Sequence, residues 1–184
     1  MNVFDAAVER IKLVFTEFDN VYVSFSGGKD SGVMLNLTAK VAREFFPGRR
    51  VGVFHIDYEA QYQQTTDYVD LTLESNADIF DIYRICLPVA ASCATSMKQS
   101  YWIPWDVDKK DLWVRDLPAN GITEANNEFK WFTKGMLDYD LQEIFSHWLH
   151  KKTGAKKTAC LVGIRTQESL NRWRAIHSDK NQNK

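Results

Sequence analysis

The sequence predicts an α/β protein with a doubly wound, mostly parallel sheet and helices on both faces. Short β-rich runs at 21–25 and 51–57 alternate with segments 3–18 and 31–46, in which apolar residues recur every three or four positions. A junction rich in glycine and serine, residues 24–31, lies where the first strand meets a helix. Strands that alternate with helices pair in parallel, because each crossover returns the chain to the same end of the sheet.

Each predicted element follows from the hydrophobic spacing and from the residues that flank it. In chain order we predict helix 3–18, strand 21–25, helix 31–46, strand 51–57, helix 58–76, a strand within 78–88, helix 138–152, strand 158–164 and helix 166–176. No repeat or clear boundary divides the chain. We therefore expect residues 1–184 to form a single domain that ends in a polar, flexible tail at 177–184.

Residues 98–135 interrupt this alternation. The segment contains four of the six tryptophans and shows no clean period, so we predict an ordered, Trp-rich insertion with short helices. One interpretation is a small aromatic core of its own. The other is a lid or substrate wall, because long structured loops in α/β enzymes often serve that purpose.

Composition excludes several classes of protein. The net charge of -1 gives no overall field to attract nucleic acid, although the basic cluster at 150–157 leaves a weak nucleic-acid contact open. Cys86, Cys93 and Cys160 form no CxxC pair, so neither a zinc site nor a disulfide framework is expected. We expect Cys160 to be buried and inert, and Cys93 is the candidate for reactivity. Without a long apolar run or a signal peptide, the prediction is a cytoplasmic protein that does not enter membranes.

The junction "SFSGGKDS" has the features of an anion site. A helix N-terminus carries unpaired N–H groups and positive potential, and glycines let the backbone approach a ligand closely. The candidate phosphate-binding residues are Ser24, Ser26, Gly27, Gly28, Lys29, Asp30 and Ser31. A Walker loop is excluded, because Asp30 follows the lysine and Val23 occupies the position of its first glycine. An ordinary glycine-rich turn is the alternative.

"SGGKDS" resembles the PP-loop, S-G-G-x-D-S, of the N-type ATP pyrophosphatases. The resemblance implies the adenine nucleotide α-hydrolase-like fold and AMP-forming cleavage of ATP, with Lys29 and Asp30 as catalytic residues. It also implies Mg²⁺ near Asp30. Adenine would then lie against the backbone around Phe54 and Ile56, and Asp57 would lie at the end of that strand. Asp57 as a helix cap is the alternative.

A second stretch, "GIRTQES" at 163–169, resembles the G-x-R-x-x-E-S segment of the phosphoadenosine phosphosulfate (PAPS) reductase branch. Gly163, Arg165, Glu168 and Ser169 match it. Arg165 at a strand end can hold a phosphate or sulfate with its planar guanidinium, which makes it a third catalytic candidate. A structural Arg–Glu pair is the alternative. The reductases carry a C-terminal catalytic cysteine that this chain lacks after Cys160, and no iron–sulfur cluster is expected.

Over most of its length the chain is most similar to IbrA-type PAPS reductase family proteins, which are usually longer and have a ParB-like (IbrB-type) partner. Three functions follow from these resemblances. The first is AMP-forming ATP pyrophosphatase activity, with adenylyl transfer to an unknown acceptor. The second is binding of PAPS or adenosine phosphosulfate (APS) without the catalytic cysteine. The third is nucleotide sensing, without turnover, as the partner of a ParB-like protein.

Overall fold

The computed structural model describes residues 2–93 and 96–177. Its α-helices are α1 Val3–Glu17, α2 Lys29–Phe45, α3 Gln63–Glu74, α4 Asp138–Thr153 and α5 Leu170–His177. Its strands are β1 Asn20–Ser24, β2 Val51–Ile56, β3 Phe80–Ile85, β4 Ala91–Ser92, β5 Tyr101–Trp102, β6 Gly121–Ile122 and β7 Thr158–Val162. Short 3₁₀ helices cover Val107–Leu112 and Thr166–Glu168.

Five of these strands form one parallel sheet in the order β6-β3-β2-β1-β7. The chain moves outward from β1 through β2 and β3 to β6, and it then returns to add β7 on the other side of β1. The winding direction therefore reverses between β1 and β7, which is the place where doubly wound folds bind ligands. The predicted fold class is confirmed.

Helices cover both faces of the sheet. On one face, α1, α2 and α3 enclose an apolar core that includes Phe15, Val23 and Leu35. On the other face, Phe145 of α4 contacts the rings of Tyr22, Phe54 and Tyr83 on three neighbouring strands. Burial of this kind stabilises a fold by roughly 25 cal/mol for each Å² of apolar surface removed from water.

The third helix begins later than the sequence predicts. We expected a helix from residue 58, but α3 starts at Gln63 and residues 57–62 form a loop. Glu59 has a φ of 64°, in the left-handed region that helices avoid. Its carboxylate instead receives N–H groups from the insertion, so tertiary bonds replace the helical ones.

The described part of the insertion is ordered, and its aromatic residues contact both one another and the main core, while the role of a lid or substrate wall stays a prediction. Trp105 and Trp113 meet edge to face with ring centroids 5.2 Å apart, which is a small aromatic contact inside the insertion. Phe129 instead joins the main core, stacked on Trp131 and edge-on to Trp148 of α4. The described part of the segment includes one 3₁₀ helix, where short helices were predicted, and also the short strands β5 and β6.

Two further predictions concern the end of the chain. Cys160 is exposed, which contradicts the prediction of a buried thiol. The aromatic side chains of α4 pack over β1, β2 and β3, and β7 lies at the edge of the described sheet. Of the predicted tail, His177 is the last residue of α5, and 178–184 lie outside the described residues.

Membrane crossing needs a long apolar helix. Within residues 2–93 and 96–177, no helix meets that requirement.

Candidate functional site

The glycine-rich junction forms a tight loop at the carboxyl end of β1. The hydroxyl groups of Ser26 and Ser31 lie 2.9 Å apart, and the Ser31 hydroxyl also donates to the carbonyl of Gly28. The N–H of Gly28 in turn donates to the Ser26 hydroxyl at 3.3 Å. These bonds hold the loop closed at the start of α2, where the first N–H groups of the helix lie. Such groups have no partner within the helix and can bind an anion.

Gly27 is required by the shape of the loop. Its φ is 79°, and a Cβ atom there would lie 2.9 Å from methyl carbons of both Thr65 and Val69. A larger residue would therefore be strained and would also collide with α3. A hollow of about 730 Å³ opens beside this loop and is lined in part by Gly27, Lys29 and Tyr68. Lys29 starts α2 and adds a positive charge at the entrance.

The second predicted segment lies directly against this loop. The Arg165 guanidinium donates to the Asp30 carboxylate, with 3.1 Å from Nε to Oδ2. Gly163 packs on the backbone of the loop, since a Cβ atom there would lie 2.7 Å from the carbonyl oxygen of Asp30. The adjacent pairing of β1 with β7 sets Ser24 beside Val162 and causes this contact. The two motifs thus lie in contact, although Asp30 and Arg165 are 135 residues apart in sequence.

The remaining residues of the second segment also have structural partners. Glu168 forms ion pairs with Arg165 and with Arg172 of α5. The Ser169 hydroxyl accepts the N–H of Arg172 at 3.2 Å, as a residue that caps a helix does. The alternative of a structural Arg–Glu pair is thus present in the geometry, while Arg165 also reaches the loop. Arg165 is 52% exposed and is accessible to a ligand.

The strand predicted to face adenine is β2. The carbonyl of Phe54 accepts the N–H of Phe25 at 2.8 Å, and the Phe54 ring packs on Phe145 in the core. Ile56 ends the strand at the same edge of the sheet as the loop. The roles of Phe54, Ile56 and Asp57 in binding adenine stay predictions.

Asp57 belongs to a buried ionic network. Its carboxylate is fully buried, lies 2.9 Å from the Arg84 guanidinium and also pairs with Arg115 of the insertion. It accepts the N–H of Glu59 at 3.0 Å as well. Trp105 extends the network through its indole N–H, which donates to the carbonyl of Asp57 at 2.7 Å. The insertion is therefore fixed to the end of β2 by charged and polar bonds.

Sequence reasoning missed most of this network. One signal was present, because Arg84 lies in the otherwise uncharged run "IYRICL", which begins in β3. A cation in a buried strand needs a buried partner. The positions of Glu59 and Arg115 give no such signal, because no local pattern connects them.

His55 provides a test of the buried charge around this network. Its ring is buried in β2 and its Nδ1 lies 2.7 Å from the carbonyl of Phe25. Burial lowers the pKa of His55, and Arg84 and Arg115 lower it further, while the Phe25 carbonyl and Asp57 oppose the shift. As the pH falls through about 6.5, His55 therefore becomes protonated in the unfolded chain but stays neutral in the folded protein. We expect the free energy of unfolding to fall as the pH drops below about 6.5.

Urea unfolding at pH 7 and pH 5 measures this loss. The variant His55→Gln should show a smaller loss between the two pH values than the wild type. The exposed His147→Gln should behave as the wild type does. Equal losses in His55→Gln and the wild type would contradict the prediction.

The resemblance implies Mg²⁺, and the fit of this ion depends on the oxygen ligands at the loop. Within the described residues, no group of three or more histidine, cysteine, aspartate or glutamate side chains comes together. Asp30 supplies one carboxylate at the glycine-rich loop. Mg²⁺ commonly uses one or two carboxylates together with substrate phosphates and water. The residues present therefore fit an ion that arrives with a nucleotide.

The three cysteines lie in different environments. Burial raises the pKa of the Cys86 thiol far above its usual value, so this thiol keeps its proton. Cys160 is an exposed residue, but desolvation of its sulfur raises the thiol pKa, while hydrogen bonds with Tyr22 and with the backbone of Ser24 oppose this shift. Cys93 follows β4 and donates its backbone N–H to Ser100. A reactive role for Cys93 stays a prediction.

Comparison with known proteins agrees with the geometry. The family described as the phosphoadenosine phosphosulfate reductase domain matches residues 20–99, which include the loop. YbdN, an uncharacterized protein of Escherichia coli K12, is 38% identical over 179 residues, which are 97% of this chain and 42% of YbdN. Sulfate adenylyltransferase subunit 2 of Pseudomonas putida is 38% identical over 69 residues, which are 37% of this chain and 22% of that subunit.

A third relative, sulfate adenylyltransferase subunit 2 of Vibrio parahaemolyticus, is 35% identical over 89 residues, which are 48% of this chain and 28% of that subunit. The chain thus spans less than half the length of these relatives. The closer likeness to IbrA-type proteins stays a prediction. The matched domain, the loop sequence and the parallel sheet agree with one another, and together they support a PAPS reductase-like protein of the PP-loop superfamily.

Proposed function

We propose that the chain binds ATP or a related adenine nucleotide at the loop and transfers AMP to an acceptor. The observation that carries this proposal is the contact between the two motifs. Gly163 and Arg165 lie against the loop at Asp30, at the switch point between β1 and β7. Anionic ligands are favoured there by the free N–H groups of α2, by Lys29 and by Arg165.

The proposed reaction is a displacement at the α-phosphorus. An oxygen or nitrogen atom of the acceptor forms a bond to this phosphorus, and the bond from it to the oxygen that bridges to the β-phosphate breaks. Pyrophosphate leaves with the electron pair of that bond, and a proton released from the attacking atom passes to the leaving pyrophosphate or to water. The N–H groups of α2, together with Lys29, would bind the β- and γ-phosphates before and after the step. Bound Mg²⁺, held near Asp30, would offset the negative charge of the phosphates.

Arg165 would bind the phosphate that reacts. Its guanidinium lies at the junction of both motifs, and its bond to Asp30 sets its orientation. A planar guanidinium can contact two oxygens of one phosphate at once. Glu168 would hold Arg165 from the other side through the ion pair described above.

A sulfonucleotide such as PAPS or APS is the second candidate ligand. The PAPS reductase domain match favours it, because the same guanidinium could bind a sulfate group. Reduction would then need an external thiol as the electron donor. A ParB-like partner and a sensing role without turnover also stay predictions.

The first experiment measures products and pyrophosphate binding separately. ATP labelled at the α-phosphate should give AMP or an AMP conjugate, together with unlabelled pyrophosphate, when candidate acceptors are added. Calorimetry should show that inorganic pyrophosphate competes with ATP for the same site. PAPS affinity far above ATP affinity would favour the sulfonucleotide instead. ADP and free phosphate as the only products would contradict the proposal.

Arg165→Ala tests the role of the second motif. A charged hydrogen bond contributes about 1.5–3 kcal/mol, so the affinity for ATP, which contains the α-phosphate, should fall by roughly 10- to 100-fold. Arg50→Ala is the matched control, because this arginine pairs with Asp81 at the opposite end of the sheet. An unchanged affinity in Arg165→Ala would remove Arg165 from the site.

A further inference from the structure

A second hollow lies next to the phosphate cradle. It has a volume of about 720 Å³ and is lined by Tyr58, Ala60, Gln61, Tyr62, Thr65 and Val114. Thr65 contacts the loop as well, since the Thr65 methyl carbon lies 2.9 Å from where a Cβ atom on Gly27 would be. The hollow and the loop thus have the Thr65 side chain as a common neighbour. The volume is within the range of about 300–1,000 Å³ that small-molecule sites usually have.

The lining has a definite chemical character. Among the described residues, those that line the hollow are all uncharged at neutral pH. Tyr62 is 84% exposed and Val114 is 66% exposed, so both offer apolar surface that no core residue covers. Gln61 and Thr65 supply groups for hydrogen bonds. An inorganic oxyanion would find no cation in this lining, whereas a neutral planar molecule would find rings and amide groups.

Glu59 holds in place the part of the insertion that lines the hollow. The buried carboxylate of Glu59 accepts the N–H of Val114 at 3.1 Å and the N–H of Trp105 at 2.9 Å. Arg115 donates from Nε to the carbonyl of Glu59 at 2.8 Å. The insertion therefore meets the loop 57–62 as a fixed wall, and Val114 keeps its side chain toward the hollow. A preformed site of this kind binds with a smaller loss of entropy.

We propose that this hollow binds the acceptor, and that the acceptor has an uncharged aromatic or heteroaromatic body. The inference rests on the proposed adenylyl transfer, to which it adds a substrate class. The ring system of the acceptor lies between Tyr62 and Val114, and Gln61 and Thr65 bind its polar edge. Its nucleophilic atom points past Thr65 to the α-phosphate in the cradle. The Trp-rich insertion thereby selects the acceptor, while the loop binds the nucleotide.

The test compares two probes that share one ring and differ in charge. N-acetyl-L-tyrosinamide is neutral, and N-acetyl-L-tyrosine carries a carboxylate. Saturation-transfer NMR and calorimetry on the full chain measure the affinity for each probe. We expect the neutral probe to bind at least about 10-fold more tightly, because the lining cannot compensate a charge. Inorganic sulfate, as a third probe, should not compete with the neutral probe.

Two variants locate the binding in the hollow. Val114→Asp places a charge in the wall, and Tyr62→Ala removes an exposed ring without touching the core. Each should weaken binding of the neutral probe by roughly 10-fold, while pyrophosphate binding stays unchanged. Val107→Asp is the matched control, because Val107 is 56% exposed in the same insertion but lies outside the lining.

Each outcome tests either the acceptor site in the hollow or the proposed adenylyl transfer. Equal binding of both probes, no binding of the neutral probe, or full binding by Tyr62→Ala and Val114→Asp would overturn the inference. A wild-type chain that binds the neutral probe but neither pyrophosphate nor ATP would overturn the proposed function instead. Tyr62→Ala keeps the test decisive if Val114→Asp fails to fold.

Discussion

Gly163→Ala is expected to lower the affinity for pyrophosphate by roughly 100-fold, because it would move the two halves of the site apart. The added methyl carbon would lie 2.7 Å from the carbonyl oxygen of Asp30 and 2.8 Å from the N atom of Ser31. Both are backbone atoms and cannot rotate away. Either the loop or the end of β7 must shift, and misplacement of about 1 Å in a cradle of this kind costs about two orders of magnitude.

Calorimetric titration with pyrophosphate measures this loss, and far-UV circular dichroism shows whether the fold is kept. Overpacking of this type costs roughly 1–3 kcal/mol of unfolding free energy, so most of the protein should stay folded. Val162→Ala is the matched control, since the neighbouring Val162 is 45% exposed. Wild-type affinity in Gly163→Ala would show that the contact between the two motifs is not needed for binding.

Asp57→Ala is expected to produce the largest loss of stability, about 3–5 kcal/mol of unfolding free energy. Asp57 is fully buried, and Arg84, which is 2% exposed, depends on it for charge compensation. The remaining partners of Arg84 are Asp70 and Asn120, so its guanidinium would keep only part of its bonds. A buried charge without its partner is costly because water cannot replace the lost interaction. Arg115 would lose the same carboxylate.

Urea unfolding measures the loss of unfolding free energy in Asp57→Ala and in the control Asp81→Ala. Asp81 pairs with Arg50 at the surface, where about half of each side chain is exposed, so its removal should cost within about 1 kcal/mol. Equal losses in the two variants would show that the network around Asp57 is not a buried ion pair in solution. ATP affinity, measured on folded Asp57→Ala, tests the predicted nucleotide role of Asp57 separately.

The fold and the phosphate loop could be predicted because their determinants are local. The bonds that hold the loop lie within one short segment, which contains Ser26, Gly27, Gly28 and Ser31. They join residues at most five positions apart. The alternation of strand and helix also restricts the topology strongly, since parallel crossovers are almost always right-handed. Helix α3 begins later than predicted, because Glu59 bonds to the insertion and does not extend the helix.

The sequence predicts the approach of Arg165 to the loop only in part. Both motifs follow strands, and carboxyl ends of parallel strands share one edge of the sheet, so the sequence predicts that the motifs lie on the same side. That β7 pairs with β1, which brings Gly163 onto the backbone of Asp30, is a property of the strand order. Hydrophobic pattern does not specify the order of strands that are apolar throughout.

The sequence alone determined the architecture, the PP-loop and the presence of the second motif at 163–169, because each depends on spacing within a short segment. Only the tertiary structure decided that Asp57 pairs with Arg84 and Arg115, and that Glu59 fixes the insertion beside the loop. These contacts join segments 27 to 58 residues apart. Charge pairing in a folded core depends on distance in space and burial, which no pattern within one segment encodes.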